Sequence, residues 1–379
     1  MTTIIHLTTV HPRFEVRIHI KEAQTLAASL PYKVLVMVAD GKGHIDEQKG
    51  LVSIHDLGCL GGGRLRRTLI GPWRAFFAIL KINPAVVHFH DPELIPLGLL
   101  LRLIGYKVIY DVHEDVPRQV ISKHYLPLLI REPLAWFISA VEWLGAMSFN
   151  AIVAATPKIA ARFPAAKTIT VQNFPITAEI SQITPIPYVE RPQSFAYPGI
   201  IAAVRGIGEV IRALAYLEDI KNVRLELAGE FSPANLQETL RVLPGWRSVN
   251  YHGWISREQL SLLLGSVRAG LVLHHPVPNE IDAQPIKLYE YMSAGLPIIA
   301  SNFPLLKQVI EDAGCGLLVD PMDPKAIAAA MRWILAHPTA AEAMGARGRQ
   351  AVEKTYNWDA EAAKLIHLYQ KLMTPINDN

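Results

Sequence analysis

Short apolar runs alternate with stretches of helical periodicity along the first half of the chain. The runs predicted as strands are residues 4–7, 34–38, 52–54, 86–89, 108–110, 152–154 and 168–171. Strands joined through helices by right-handed crossovers pair in parallel, with helices on both faces of the sheet. The pattern therefore predicts an α/β fold with a doubly wound sheet, in which ligands bind beyond the carboxyl ends of the strands.

A proline-rich segment separates this array from a second one. Residues 173–193 carry prolines at 175, 185, 187 and 192 and show no sustained periodicity, as expected of a linker. Strand and helix patterns then resume, with strands predicted at 195–197, 223–228 and 271–273. We predict one domain over 1–178, a linker over 179–193, a second domain over 194–355 and an amphipathic C-terminal helix over 356–379.

Composition narrows the class of protein. The 379 residues, half of them hydrophobic, suffice for about two domains with sizeable cores. Cys59 and Cys315 are too few and too far apart for a metal motif or a disulfide framework, which favours a reducing, cytoplasmic compartment. The first fourteen residues lack the pattern of a signal peptide. A net charge of +3 without a basic, aromatic-rich run argues against nucleic acid as a partner.

Two familiar cofactor patterns are missing. The loop after the first strand reads HPRFEVRI and lacks G-x-G-x-x-G, which argues against a nicotinamide enzyme. The chain contains no Asp-x-Asp, the usual means of chelating a divalent ion to a diphosphate. The adjacent His274 and His275 end a strand and should point apart, so we predict no metal site there.

The segment 279–301, NEIDAQPIKLYEYMSAGLPIIAS, reads as a loop, a short helix, a turn and a buried strand. Pro285 suits the first helical position and Gly295 the left-handed residue after the helix, which predicts a helix over about 285–294. Its first amides attract an anion, above all a phosphate. A lysine in the first turn, such as Lys287, is unfavourable with the helix dipole, so a bound external anion would explain its position well. The alternative is a solvated ion pair with Glu290, three residues on.

Asp282 precedes Glu290 by eight residues, and PIKLYEYMSAGLPIIAS continues from the loop between them. This resembles the E-x7-E signature of the family four, retaining glycosyltransferases of the bacterial surface-polysaccharide type. The resemblance implies the GT-B fold, with two Rossmann-like doubly wound domains facing a central cleft. It also implies that the helix over 356–379 returns to the N-terminal, acceptor-binding domain.

The resemblance assigns a donor site to the second domain. It places Glu290 on the ribose hydroxyls and the amides of Ala283 and Gln284 at the sugar and diphosphate. The first acid of the signature is normally glutamate, and here Asp282, as a catalytic residue, contacts the donor sugar with a shorter side chain.

Two glycine turns complete this assignment. Arg205 stands where the family places a cation on the donor diphosphate. A second cation often follows the position of Gly199, where this chain has Ile200, so Lys287 is expected to replace it. Glu230 ends a strand near the expected nucleobase pocket. An alternative for Arg205 is a surface arginine beside a glycine turn.

His113, in YDVHED, matches the histidine that the family carries in its N-terminal domain. The resemblance makes it a catalytic residue that contacts the donor sugar or relays a proton. The alternative is a structural histidine held by Asp111 or Asp115.

The acceptor side is assigned to residues near the first strands. His90 and Asp91 follow a strand in HFHDPEL, and the alternative for Asp91 is to cap a helix begun by Pro92. Many family members have a glycine-rich loop where this chain has Arg13 and Arg17, and these could hold an anion. The alternative is that they are solvated charges.

Two apolar stretches, 64–81 and 126–149, indicate a membrane surface as a partner. The first combines Trp73 and Phe77 with cations that include Arg64, Arg66 and Arg67, as expected of a helix at an anionic interface. The second is interrupted by charges and should not span a bilayer. The alternative for both is that they form the domain core.

These observations predict a metal-independent enzyme without a bound cofactor. The resemblance implies that it moves a hexosyl group from a nucleotide-diphosphate sugar to a glycan or lipid-linked hydroxyl, with retention of configuration, in exopolysaccharide, capsule or lipopolysaccharide synthesis. It would be cytoplasmic and peripheral on the inner face of the membrane. Two alternatives stay open, a catalytically weak sugar-nucleotide-binding scaffold and a nucleotide-sugar epimerase on the same fold.

Overall fold

The computed structural model describes residues 2–40, 42, 47–58, 63–122, 126–177 and 186–374, without the side chains of 47, 63–68 and 122. The chain forms two compact units. Unit 1 comprises Met1–Asn173 and Trp358–Asn379, and unit 2 comprises Phe174–Asn357. Residues 179–185 of the predicted linker, Cys59, and the side chains of Arg64, Arg66 and Arg67 lie outside the described residues.

Unit 1 is built on one sheet. Its strands are β1 (Thr3–Leu7), β2 (Lys33–Val38), β3 (Glu47–Lys49), β4 (Val52–Asp56), β5 (Val86–Phe89), β6 (Lys107–Val112), β7 (Ala151–Ala154) and β8 (Thr168–Thr170). Among the described residues they pair in the order β3-β4-β2-β1-β5-β6-β7-β8. All neighbours are parallel except β3, which pairs antiparallel with β4. The parallel, doubly wound prediction is confirmed, and the sequence did not indicate the short edge strand β3.

Unit 2 repeats this architecture on a smaller scale. Its strands are β9 (Ser194–Pro198), β10 (Arg224–Ala228), β11 (Val249–Tyr251), β12 (Ala269–Val272), β13 (Ile298–Ser301) and β14 (Gly316–Val319). They pair in parallel in the order β11-β10-β9-β12-β13-β14 within the described part of the chain.

Helices cover the strands of both sheets. In unit 1 they are Gln24–Ser29, Gly63–Ile82, Ile95–Leu103, Val116–Ser122, Leu128–Ser148, Pro157–Ala160 and Trp358–Met373, with a π-helix at Val16–Ala23. In unit 2 they are Ile207–Ala215, Leu236–Arg241, Arg257–Ser266, Pro278–Ile281, Ile286–Ser293, Pro304–Ala313, Pro324–Ala336 and Pro338–Lys354. Short 3₁₀ turns at Pro92–Leu94 and Ala203–Arg205 follow β5 and β9.

Each sheet changes its winding direction at one pair of strands. The switch falls between β1 and β5 in unit 1 and between β9 and β12 in unit 2. Loops that leave adjacent strands toward opposite faces open a crevice at the carboxyl edge of the sheet, and ligands of doubly wound folds bind there. These two edges are therefore where functional side chains are expected.

The last helix is part of unit 1. Trp358 Nε1 donates a hydrogen bond to Thr25 Oγ1 at 2.9 Å, and Gln172 N donates to Glu361 Oε2 at 2.9 Å. Tyr369, fully buried, reaches the strand region with its hydroxyl 2.9 Å from His88 Nδ1. The final helix thus supplies a polar atom to the interior of the first sheet.

Candidate functional site

The helix Ile286–Ser293 positions one set of charged groups at the carboxyl edge of the second sheet. Pro285 is the N-cap residue, so the helix begins at Ile286, one residue later than predicted. Gly295, with φ +66°, follows the C-cap residue of the helix. Tyr291 anchors the helix, because its hydroxyl donates to the Ala196 carbonyl at 3.2 Å and its ring lies over Gly270. A Cβ at Gly270 would lie 2.2 Å from that ring, so only glycine lets the helix approach β12 so closely.

Lys287 is the central cation of this cluster. It is buried, its Nζ lies 4.1 Å from the centroid of the Tyr197 ring, and no described residue accepts a hydrogen bond from it. Burial and then the charge of Arg205 lower the pKa of Lys287 to about 7, while Glu280 and Glu290 act in the opposite direction. A buried ammonium without a hydrogen-bonding anion is costly, so this position suits an anionic ligand.

Glu280 and His274 form a second pair in the same cluster. Glu280 Oε2 lies 2.5 Å from His274 Nδ1, and both side chains are largely buried. Burial outweighs the carboxylate and lowers the pKa of His274. Burial raises the pKa of Glu280, but His274, Arg205 and Lys287 together lower it below the ordinary value. Glu280 was not among the predicted site residues, because the eight-residue spacing to Glu290 indicates Asp282 instead.

Arg205 reaches the cluster from the loop after β9. Its carbonyl accepts a hydrogen bond from the Tyr197 hydroxyl at 2.5 Å. The next residue, Gly206, has φ +76°, and a Cβ there would lie 1.8 Å from the Leu273 carbonyl oxygen. Glycine is therefore required to bring this loop against the end of β12 and place Arg205 beside Lys287.

A different network occupies the switch point of unit 1. Arg17, on the π-helix, donates from Nε and Nη2 to both carboxylate oxygens of Asp111 at 2.9 and 2.8 Å, and from Nη1 to the Val171 carbonyl at 2.8 Å. His113 Nδ1 lies 3.1 Å from the same carboxylate, with 16% of its side chain exposed. Burial acts to lower the pKa of His113, but the adjacent Asp111 outweighs it and the pKa is raised.

Three further histidines continue the network into the interior. His90 bonds Asp111 Oδ2 through Nδ1 at 2.9 Å, and its Nε2 lies 3.0 Å from His6 Nδ1. The Tyr369 hydroxyl lies 3.3 Å from His6 Nε2 and 2.9 Å from His88 Nδ1. Burial, above other causes, lowers the pKa of all three imidazoles, so they are neutral near pH 7.

Family comparisons agree with this arrangement in both halves of the chain. The family described as "Glycosyltransferase Family 4" matches residues 16–170, and "Glycosyl transferases group 1" matches residues 182–351. The chain is a family four glycosyltransferase. The glycosyltransferase is also 23% identical over 301 residues to the MMP alpha-(1->4)-mannosyltransferase of Mycolicibacterium hassiacum, over 76% of this chain and 71% of that protein.

Solved structures show that the glycosyltransferase has the GT-B fold. Sucrose-phosphate synthase from Thermosynechococcus elongatus superposes with a TM-score of 0.77 at 18% identity, over 98% of this chain and 99% of that one. HepE from Anabaena, solved in complex with UDP, gives a TM-score of 0.71 at 11% identity, over 98% of this chain and the whole of that one. The fold prediction from the sequence is thus confirmed.

Four further residues predicted to bind the donor lie in the helix Ile286–Ser293 or in the loop before it. Glu290, mostly buried, has Oε1 3.5 Å from Arg257 Nη1, a residue that the sequence analysis did not single out. Asp282, half-buried, directly follows the helix Pro278–Ile281. The Ala283 amide donates to the Glu280 carbonyl at 3.2 Å, and Gln284 Nε2 donates to the Tyr289 hydroxyl at 2.6 Å.

Two predicted donor residues lie in the turns after β9 and β10. Gly199 has φ +103°, and its carbonyl lies so close to Gly229 that a Cβ there would be 1.9 Å away. The side chain of Glu230 is exposed, and its carbonyl accepts a hydrogen bond from the Ile201 amide at 2.9 Å. The roles of Gly199 and Glu230 at the donor stay predictions.

The acceptor-side residues occupy buried networks in unit 1. Asp91 accepts hydrogen bonds from Thr8 Oγ1 at 2.9 Å and from the Thr9 amide at 2.5 Å, and its side chain does not cap the turn at Pro92–Leu94. It therefore closes the loop after β1 rather than capping a helix.

The other two acceptor-side residues are equally enclosed. Arg13 is buried between Asp40 and Asp56, with Nη2 2.8 Å from a carboxylate oxygen of each, so it is not a solvated charge. His90 is 1% exposed. Acceptor binding by Arg13, His90 and Asp91 stays a prediction, and the contacts observed hold each of them in the fold.

Proposed function

We propose that unit 2 binds a nucleotide-diphosphate sugar and that the enzyme transfers the hexosyl group, with retention, to a hydroxyl of a glycan or lipid-linked acceptor. The observation that carries this proposal is the pair of cations Arg205 and Lys287 at the switch point of the second sheet. No anionic side chain among the described residues accepts a hydrogen bond from the buried Lys287, and a diphosphate would supply such an acceptor. Two similar proteins, a mannosyltransferase and an Anabaena protein solved in complex with UDP, support this class of donor.

The chemistry needed is stabilisation of a leaving group. As the bond from the anomeric carbon to the phosphate oxygen breaks, negative charge grows on the diphosphate. Lys287, Arg205 and the amides at the start of the helix Ile286–Ser293 would neutralise that charge. The acceptor oxygen bonds the same face of the anomeric carbon, and its proton leaves with the departing phosphate oxygen. This route needs no protein nucleophile.

We further propose that no divalent ion is needed at the donor diphosphate. The chain lacks Asp-x-Asp, and among the described residues the side-chain groups that could hold a metal ion lie in unit 1. The cations of unit 2 would take the place that a metal ion has in metal-dependent transferases.

A transfer assay with a chelator present tests the proposal. UDP-, GDP- and ADP-hexoses are incubated with a detergent-solubilised lipid-linked saccharide, and mass spectrometry follows addition of one hexose. NMR coupling constants then report the new anomeric configuration. We expect one nucleotide class to support transfer with retention. Release of nucleotide without a glycosylated product, or epimerised donor without any acceptor, would contradict the proposal.

We also propose that unit 1 lies on a membrane surface, in keeping with a lipid-linked acceptor in envelope polysaccharide synthesis. No described helix is long and apolar enough to cross a membrane. The helices Gly63–Ile82 and Leu128–Ser148 nevertheless expose many large apolar side chains. These are Leu69, Trp73, Phe77, Leu80, Leu128, Leu129, Ile130, Trp136, Phe137, Trp143, Leu144 and Met147. Exposed tryptophans beside Arg74 and Lys81 suit an anionic interface.

Vesicle sedimentation tests the membrane proposal separately. The double variant Trp136→Ser with Phe137→Ser removes two side chains that are 77% and 66% exposed, so it should not disturb the core. We expect it to lower binding to vesicles of anionic lipid several-fold. Trp254→Ser, 73% exposed in unit 2, is the matched control and should bind like the wild type. Equal sedimentation of all three proteins would refute this surface.

A further inference from the structure

Four potential metal ligands converge inside unit 1. His6 comes from β1, His88 and His90 from β5 and the loop after it, and Glu22 from the π-helix Val16–Ala23. Each offers one ligand atom, and these four atoms lie within 4.8 Å of one another with all four side chains buried. We infer that His6, Glu22, His88 and His90 form a site for one divalent transition-metal ion, with Zn²⁺ as the best fit.

Hydrogen bonds at the second ring nitrogens of His88 and His90 support this assignment. His90 Nδ1 bonds Asp111 at 2.9 Å, which directs Nε2 toward His6. His88 Nδ1 bonds the Tyr369 hydroxyl at 2.9 Å, while its Nε2 is buried without a hydrogen-bond partner among the described residues. Metal-binding imidazoles typically have their second nitrogen held by a carboxylate or another acceptor in this way, which fixes the tautomer.

Glu22 supplies the anionic ligand. Its Oε2 lies 3.8 Å from His6 Nδ1, and Arg17 Nε lies 3.1 Å from its Oε1. Neither carboxylate oxygen has hydrogen-bond geometry to a described residue, although the side chain is fully buried. Arg17 pairs with Oε1 only, and a buried Oε2 without a close partner is unfavourable, so a dication bound through Oε2 would compensate it.

The spacing requires only a small adjustment. His6 Nδ1 and His90 Nε2 are 3.0 Å apart, and two imidazoles on a tetrahedral zinc ion stand about 3.4 Å apart. On metal binding, the proton between these two nitrogens would move to His6 Nε2. The Tyr369 oxygen lies 3.3 Å from His6 Nε2 and can accept a hydrogen bond from it. Three imidazoles and one carboxylate suit Zn²⁺, Co²⁺ or Ni²⁺, whereas Mg²⁺ and Ca²⁺ prefer oxygen ligands.

The overlapping group of His90, Asp111 and His113 is a weaker alternative. Both oxygens of Asp111 already accept hydrogen bonds from Arg17, so a metal ion there would have to displace a guanidinium. The group of His6, Glu22, His88 and His90 belongs wholly to unit 1 and shares no residue with the donor cluster of unit 2.

Metal loading of the full chain tests the inference. The chelator-treated protein is titrated with Co²⁺, and its visible spectrum and unfolding midpoint are followed. We expect one cobalt ion per chain, the intense bands of four-coordinate cobalt and a raised midpoint. Glu22→Gln and His88→Gln should each weaken binding at least tenfold. His19→Gln, a buried histidine on the same π-helix but outside the group, is the control and should bind like the wild type.

X-ray absorption of the zinc-loaded wild type serves as a second readout that does not depend on the folding of any variant. Three imidazoles in the first coordination shell would support the site. A shell with none or one, no cobalt spectrum in the wild type, or unchanged binding in both ligand variants would overturn it. Transfer activity does not enter these readouts, so failure here leaves the proposed function untouched.

Discussion

The ammonium of Lys287 lies 4.1 Å from the centre of the Tyr197 ring and has no hydrogen-bond acceptor among the described residues. Arg205, on the loop after β9, adds a second positive charge that lowers the pKa of Lys287 further. In the free protein these two groups repel each other in a poorly solvated place. Binding of a diphosphate relieves this repulsion, and several measurable consequences follow from it.

Donor binding should be coupled to proton uptake by Lys287. With a pKa of about 7 in the free protein, Lys287 is mostly neutral at pH 8, and a bound diphosphate would raise its pKa. Calorimetry in buffers of different ionisation enthalpy should therefore report uptake of about 0.9 proton at pH 8 and about 0.1 at pH 6. Lys287→Arg stays charged and should show almost none. Equal uptake by both proteins would contradict this account.

Removing the buried charge should stabilise the free protein. Because the pKa of Lys287 is lower in the folded state than in the unfolded state, folding is penalised below the unfolded value near 10.4 and most strongly below about 7. Lys287→Met should raise the free energy of unfolding by roughly 2–4 kcal/mol at pH 7. That gain should shrink as the pH approaches 10. Urea titrations of both proteins at pH 7 and pH 10 measure this gain. A gain that does not depend on pH would show that the buried charge of Lys287 is not its cause.

Gly206 should tolerate no side chain. Gly206→Ala combines φ +76° with a Cβ 1.8 Å from the Leu273 carbonyl oxygen, so we expect a loss of about 2–4 kcal/mol in unfolding free energy. Donor affinity should fall as Arg205 moves. Gly253→Ala, with φ +68° but open space around the Cβ, is the control and should lose only about 1–2 kcal/mol. Similar losses at the two positions would show that the close approach is unimportant.

The pair of Arg17 and Asp111 should matter far more for stability than an exposed pair that also has two hydrogen bonds. Asp111→Asn removes the carboxylate that forms two hydrogen bonds with a buried guanidinium and leaves only Glu22, 3.1 Å from Arg17 Nε, so it should cost about 3–5 kcal/mol. Arg332 and Asp219 also form two hydrogen bonds, at 2.6 and 2.8 Å, but on the surface. Asp219→Asn should leave the denaturation midpoint nearly unchanged. Similar midpoints for the two variants would be inconsistent with the burial argument.

The sequence predicted the local features of the fold well. Strand β5 has the bounds predicted for it, and the αL residue Gly295 ends the helix that begins after Pro285. The hydrophobic period and the positions of proline and glycine determine the structure of only a few neighbouring residues, so these effects can be predicted from a single sequence. The edge strands β3, β11 and β14 were not predicted, because short edge strands carry little periodic signal.

Site residues could be predicted from the sequence only where their spacing within one segment indicated a shared position. Lys287 and Glu290 stand out from their places in one helix. Glu280 reaches His274 across a loop, and its importance shows only once that loop is folded. The unit 1 network joins His6 to Tyr369, 363 positions away. No local pattern records such a contact, because it depends on the return of the last helix to the first sheet.

A thermal-shift panel of UDP-, GDP- and ADP-sugars without added metal, on the wild type and Glu290→Ala, tests the donor site itself. A ligand that binds only the folded protein raises its unfolding midpoint. We expect one nucleotide class to raise the midpoint of the wild type by several degrees and to leave that of Glu290→Ala nearly unchanged. No shift with any sugar nucleotide, or the same shift in both proteins, would contradict a donor site at Lys287 and Glu290.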